Sequence, residues 1–174
     1  MRKPKNLAIF AAALILIGVL NFSIWKKENI LRSGKTVILE LAPVDPRSLM
    51  QGDYMILNFT LSRDISAALR IQGLEVPYKA SLIVNLDQNQ IAKLANLEID
   101  KATQPQPHQM RLQYRYQKGQ AHLGTNAFFF QEGTAEIYAQ AKYGEFKVSQ
   151  QGEMLLVRML DASLQPLGVN RWLN

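Results

Sequence analysis

The chain contains no cysteine. Disulfides, iron–sulfur clusters, thiolate zinc sites and lipid attachment through a cysteine are therefore excluded. Histidine is nearly absent as well, with only His108 and His122. The two share no i, i+4 spacing and have no cysteine to complete a ligand set, so no metal and no cofactor is expected. Internal repeats and low-complexity stretches are also lacking. Acidic residues are missing from residues 1–27, which hold five basic ones: Arg2, Lys3, Lys5, Lys26 and Lys27. That stretch accounts for most of the net charge of +6, because the remaining fifteen basic residues face fourteen acidic ones. Phosphate binding needs several positive charges on one face. The nearest set, Arg111, Arg115 and Lys118 with Tyr114 and Tyr116, alternates like an ordinary half-exposed strand. No nucleic-acid partner is expected.

What is present is enough for one folded domain. The 174 residues are 48% hydrophobic and 20% charged, within the range of globular proteins. The clearest signal is the uncharged run Leu7–Trp25 (LAIFAAALILIGVLNFSIW), 19 residues long. As a helix rising about 1.5 Å per residue it reaches roughly 28 Å, close to the hydrocarbon thickness of a bilayer. Asn21 and Ser23 fall near one end. Trp25 takes an interfacial position, followed by Lys26 and Lys27. A cleaved signal peptide has a shorter apolar run and a small-x-small site, whereas Trp25-Lys26-Lys27-Glu28 follows here. A buried core helix is the other alternative, but a run apolar on all faces suits lipid better. The expectation is an uncleaved single-pass anchor. Basic residues flank both ends, so charge bias nearly ties. The favoured orientation places the short tail inside and the large domain outside.

The organisation that follows is a short basic tail (1–6), a transmembrane helix (7–25), a polar stalk (26–34) and a β-rich domain (35–174). Lys35–Leu41 is rich in β-branched and apolar residues and reads as a strand. Pro43 and Pro46 frame an irregular segment. In the following strand, Met55, Leu57 and Phe59 make an apolar face opposite Tyr54, Ile56 and Asn58. Ser62–Ile71 reads as a short helix with Ser62 as N-cap. Tyr78–Leu86 and Gln90–Leu97 read as a hairpin around Asp87-Gln88-Asn89. Gln109–Gln117 alternates and ends in a Lys118-Gly119 turn. Ala121–Gln131 reads as a short buried strand carrying Phe128–Phe130. Ala135–Tyr143 reads as a nine-residue helix between Thr134 and Gly144. Glu145–Ser149 and Met154–Leu160 read as a hairpin. The fold class is α+β, β-dominated, with antiparallel sheets and two short helices behind one N-terminal transmembrane helix.

Two segments carry a family resemblance. One is LAPVDPRSLMQGDYMILNF (Leu41–Phe59), with its centre at Gly52-Asp53-Tyr54-Met55-Ile56-Leu57-Asn58-Phe59. The other is GTNAFFFQEGTAEIYAQAKYG (Gly124–Gly144). Together they resemble the GDYXXLXY protein family, with Phe59 standing where the family name has tyrosine. The resemblance implies a bacterial protein with one N-terminal membrane segment and a domain outside the cytoplasmic membrane. It also implies an association with polytopic membrane proteins, and it supplies no established activity. A second likeness is to membrane-anchored signal peptidases, whose serine-containing box the stretch Val44–Leu57 resembles. Aligning Gly52-Asp53 on the Gly-Asp pair of that box puts the nucleophile position at Val44, a hydrocarbon. Ser48 falls where the peptidase pattern has a structural threonine. A serine nucleophile also needs a lysine or histidine base; Lys79 and Lys93 are available, and nothing in the sequence marks either.

Asp45, Asp53, Glu132 and Glu136 are the carboxylates in or near these segments. Asp53 after a glycine fits a turn that satisfies its own backbone amides. Arg47 fits an ion pair or hydrogen bonds fixing the VDPRS loop. Glu132 fits the N-terminal end of the second short helix, and the phenylalanine run fits core filling. The candidate binding residues are Asp45, Arg47, Ser48, Gly52, Asp53, Tyr54 and Glu132, with no catalytic set. The expected function is a membrane-anchored periplasmic binding or accessory protein partnering a polytopic inner-membrane protein. The alternatives are a membrane-bound hydrolase on a signal-peptidase-like scaffold and a sensor of a small ligand or lipid.

Overall fold

Thirty-one residues of unbroken helix, α1 (Lys3–Ser33), open the chain in the computed structural model, which describes residues 3–42, 54–73, 76–96 and 104–168. At about 1.5 Å per residue α1 is about 46 Å long, well beyond the hydrocarbon core of about 30 Å. Residues 8–33 are long and apolar enough to cross a membrane, and none of the apolar window is buried by the protein. Phe10, Leu14, Ile17 and Trp25 all stand exposed, the opposite of a core helix. The one amide in the run is satisfied locally, because Asn21 Nδ2 donates to the Ile17 carbonyl at 2.9 Å.

Residues 26–34, expected as a polar stalk, are helical through Ser33. No proline or glycine interrupts them before Gly34, and Glu28 and Arg32 pair across one turn at 3.9 Å. This end of α1 is seated on the domain. Ile30 is 4% exposed, Lys26 pairs with Glu153, and the Gly34 N–H donates to the Ile30 carbonyl at 2.8 Å. A Cβ at Gly34 would run into that carbonyl and lie 3.1 Å from the Val148 backbone. The helix therefore passes into the first strand without slack.

Nine strands follow among the described residues: β1 (Lys35–Glu40), β2 (Tyr54–Ile56), β3 (Lys79–Leu86), β4 (Ala92–Asn96), β5 (Gln109–Gln117), β6 (Gln120–Leu123), β7 (Ala127–Phe129), β8 (Tyr143–Val148) and β9 (Met154–Leu160). They form antiparallel sheets ordered β1-β8-β9, β2-β7 and β4-β3-β5-β6. The larger two sheets meet at two places. The Ile38 N–H donates to the Gln90 carbonyl at 2.9 Å, beside a parallel bridge from Ile38 to Ile91. The Gln113 N–H donates to the Gly152 carbonyl at 2.9 Å, and Gln113 Nε2 donates to the Gln151 carbonyl. The space between is filled by one apolar cluster that includes Val37, Leu39, Phe59, Leu112 and Phe146.

Helix α2 (Thr60–Gln72) closes one side with Leu61, Ile65 and Leu69, an i, i+4, i+8 stripe. It starts two residues before the expected Ser62 cap. Phe59 is the N-cap and contributes no side-chain hydrogen bond, because the chain turns into the helix directly from a buried ring. The expected nine-residue helix is four residues, α3 (Ala135–Tyr138). Its continuation is recruited by the sheet: the Lys142 carbonyl accepts from Leu41 and its N–H donates to Leu160. Gly144 lies inside β8, where a Cβ would come within 3.2–3.3 Å of Leu156, Phe146 and Phe59. The expected buried strand at Ala121–Gln131 is two strands, β6 and β7. Phe128 and Phe130 pack on Tyr138, with centroids 4.9 and 5.3 Å away. Phe129 is 75% exposed, as alternation along a strand demands.

Candidate functional site

The motif splits into an inward and an outward half. Met55, Leu57 and Phe59 are buried, while Ile56 is half-buried and Asn58 is exposed. Phe59 meets Phe146 edge-on with centroids 5.5 Å apart. Tyr54, half-buried on β2, faces its ladder partner Phe129 at 5.5 Å, which puts an aromatic pair on the outside. Tyr54 is thus a surface-facing position among the candidate residues. Asp45, Arg47, Ser48, Gly52 and Asp53 lie outside the described residues. Glu132 is exposed in the turn before α3. The N-cap there is Thr134, whose hydroxyl donates to the Gln131 carbonyl at 2.6 Å. Glu132 makes no hydrogen bond or ion pair with a described residue.

One groove borders the end of the motif strand and another lies away from it. The first, of about 850 Å³, runs between α2, the end of the motif strand and the β5–β6 hairpin. Its chemistry comes from Asn58, Arg63, Arg70, Tyr116, Lys118 and His122, and no carboxylate among the described residues lines it. The other, of about 990 Å³, lies at the foot of α1. Asn29 and Ser33 of the helix face Gln104, Gln106 and Gln109 there, and Gln150 lies at the β8–β9 turn. The first groove unites residues from 57–70 and 116–126. The sequence signal that points to it is the Arg63/Arg70 spacing of two helical turns, a pattern that charge counting along the chain passes over.

Nucleophilic and metal chemistry find little support among the described residues. Ser66 is occupied structurally: its Oγ donates to the Ser62 carbonyl at 2.7 Å and accepts from the Ala121 N–H at 2.8 Å. Lys79 and Lys93 are both exposed at strand positions. No group of three histidine, aspartate or glutamate side chains among the described residues could hold a metal ion. Burial, with the neighbouring Tyr116 adding to it, pushes the Tyr114 phenol above its ordinary range.

The chain matches the GDYXXLXY protein family over residues 16–159. It belongs to that family. The matched region begins within the membrane-length part of α1 and ends in β9, so the seated foot of the helix is part of the GDYXXLXY domain. No curated protein and no solved structure matches it. In this GDYXXLXY chain the leucine of the motif and the ring at 59 are core residues, and the tyrosine at 54 faces outward.

Proposed function

We propose that this chain is a single-pass, membrane-anchored binding or accessory protein. Its β-rich domain lies outside the cytoplasm of a bacterial cell and engages an integral protein of the same inner membrane. The observation that supports this best is the seated end of α1. A flexible leash would let the domain sample a wide volume. Here Ile30, Gly34 and the Lys26–Glu153 pair hold the domain in one pose at the foot of the helix. A domain so held presents a constant face to whatever shares its bilayer, and tethering raises the effective concentration so that modest contacts suffice. The residues assigned to the contact are those of the motif segment, Asp45, Arg47, Ser48, Gly52, Asp53 and Tyr54, with Glu132. Exposed Phe129, beside half-buried Tyr54, supplies an apolar anchor of the kind enriched at interfaces.

A photoreactive amino acid in place of Tyr54 tests this in intact cells. The expected product is a crosslink to one polytopic membrane protein that survives detergent extraction. It should be lost in an Arg47→Ala/Asp53→Ala variant whose thermal unfolding is unchanged, and retained in Ser48→Ala. A phenotype lost at Ser48→Ala with the crosslink intact would favour the hydrolase instead.

A further inference from the structure

We propose that the groove between α2 and the β5–β6 hairpin receives an extended, acidic segment of the partner. This rests on the partner-binding reading above and gives the partner's contact a chemistry. Arg63 and Arg70 are seven residues apart on α2, about 10 Å along one helix face. Ser66 and Ala67 lie between them on the same wall. Lys118, at the hairpin turn, and His122 come from the opposite wall. Asp64 is the only acid on α2, and it does not line the groove. The ion pairs among the described residues use Lys26, Arg32 and Arg158. Arg63, Arg70 and Lys118 pair with no described carboxylate. Three cations around a channel with no carboxylate among the described residues repel each other, and an anionic occupant relieves that repulsion.

The spread of the charges selects the form of the anion. A single phosphate meets one or two of three cations distributed along about 10 Å and across two walls. An extended chain rises about 3.3 Å per residue, so carboxylates on one face recur about every 7 Å and reach all three. The Ala121 N–H on the groove side of β6 is already taken by Ser66 Oγ, so it does not serve an added strand. The floor is the end of the motif strand, Leu57–Phe59, so the groove is built on the segment that defines the family.

Fluorescence anisotropy of labelled hexaglutamate against the full-length chain in neutral detergent tests this. The expected result is saturable binding that exceeds binding of hexaglutamine. Arg63→Gln/Arg70→Gln should weaken it about tenfold, while Lys79→Gln/Lys93→Gln, which removes the same charge elsewhere, leaves it unchanged. Lys118→Asn is a second variant that protects the fold. Lys118 and Gly119 both have positive φ (51° and 76°) in a two-residue hairpin turn, where Asn-Gly is favoured. It should keep or raise thermal stability while weakening the peptide about threefold. Equal weakening by both double variants, full displacement by inorganic phosphate, or displacement by phosphatidylglycerol would overturn the inference. If the Tyr54 crosslink persists in Arg63→Gln/Arg70→Gln, the partner reading stands and the groove assignment fails. If wild type gives no crosslink at all, the partner reading fails whatever hexaglutamate does.

Discussion

At the residue scale, the family motif is two devices in one strand. Leu57 and Phe59 are core positions, and the Phe59 ring meets Phe146 edge-on and packs over Gly144, where a Cβ would crowd it at 3.3 Å. Their inward direction was legible from alternation, since Met55, Leu57 and Phe59 share one face. That Gly144 serves Phe59 was not legible, because 85 residues separate them in the chain. Read locally, a glycine after a helical pattern is a terminator. Tyr114 offers a titration test of core packing. Its phenol is raised by burial, so above pH about 10 the unfolded chain loses this proton more readily than the folded one. The contribution of this group is fully present below that pH and is lost as pH rises through the raised folded value. Thermal unfolding followed from about pH 8 to about pH 11 should therefore show an alkaline decline that Tyr114→Phe makes shallower. Identical slopes in the two proteins would refute the assignment.

At the element scale, the joint between α1 and β1 decides how the domain is carried. Its polar composition reads as a stalk, yet Lys26–Ser33 consists of residues that continue a helix, and the sheet supplies Val148 and Glu153 to receive it. The apolar contact and the fit at Gly34 outweigh the ion pair, which is half in solvent and worth less than about 1 kcal/mol. Gly34→Ala should destabilise the joint by about 1–3 kcal/mol through the displaced Ile30 carbonyl. Limited proteolysis in micelles should then cut near residues 26–34 several-fold faster. Lys26→Ala should change the cutting rate little. The reverse order would mean that charge, not packing, holds the helix. The shortened α3 teaches the same lesson from the other side. Ala139–Lys142 has adequate helix propensity, but the backbone N–H and carbonyl of Lys142 are taken by Leu160 and Leu41.

At the scale of the whole molecule, one apolar helix stands free and one β-rich body sits at its end. The absence of native cysteine makes orientation directly measurable. A single Gln106→Cys, on the exposed loop before β5, should react with a membrane-impermeant maleimide in intact spheroplasts. Protection until the cells are lysed would place the domain inside and sink the proposed topology. The apolar helix of membrane-spanning length was legible in the sequence alone, because that property depends on the length and apolarity of one continuous segment. The antiparallel, β-dominated character was determined there too, since each strand carries its own alternation in hairpins such as 109–123. Tertiary structure alone decided which turns close the sheets on each other, where the second short helix stops, and that Arg63, Arg70 and Lys118 share a groove. Those outcomes depend on distances between segments far apart in the chain, which local periodicity does not encode.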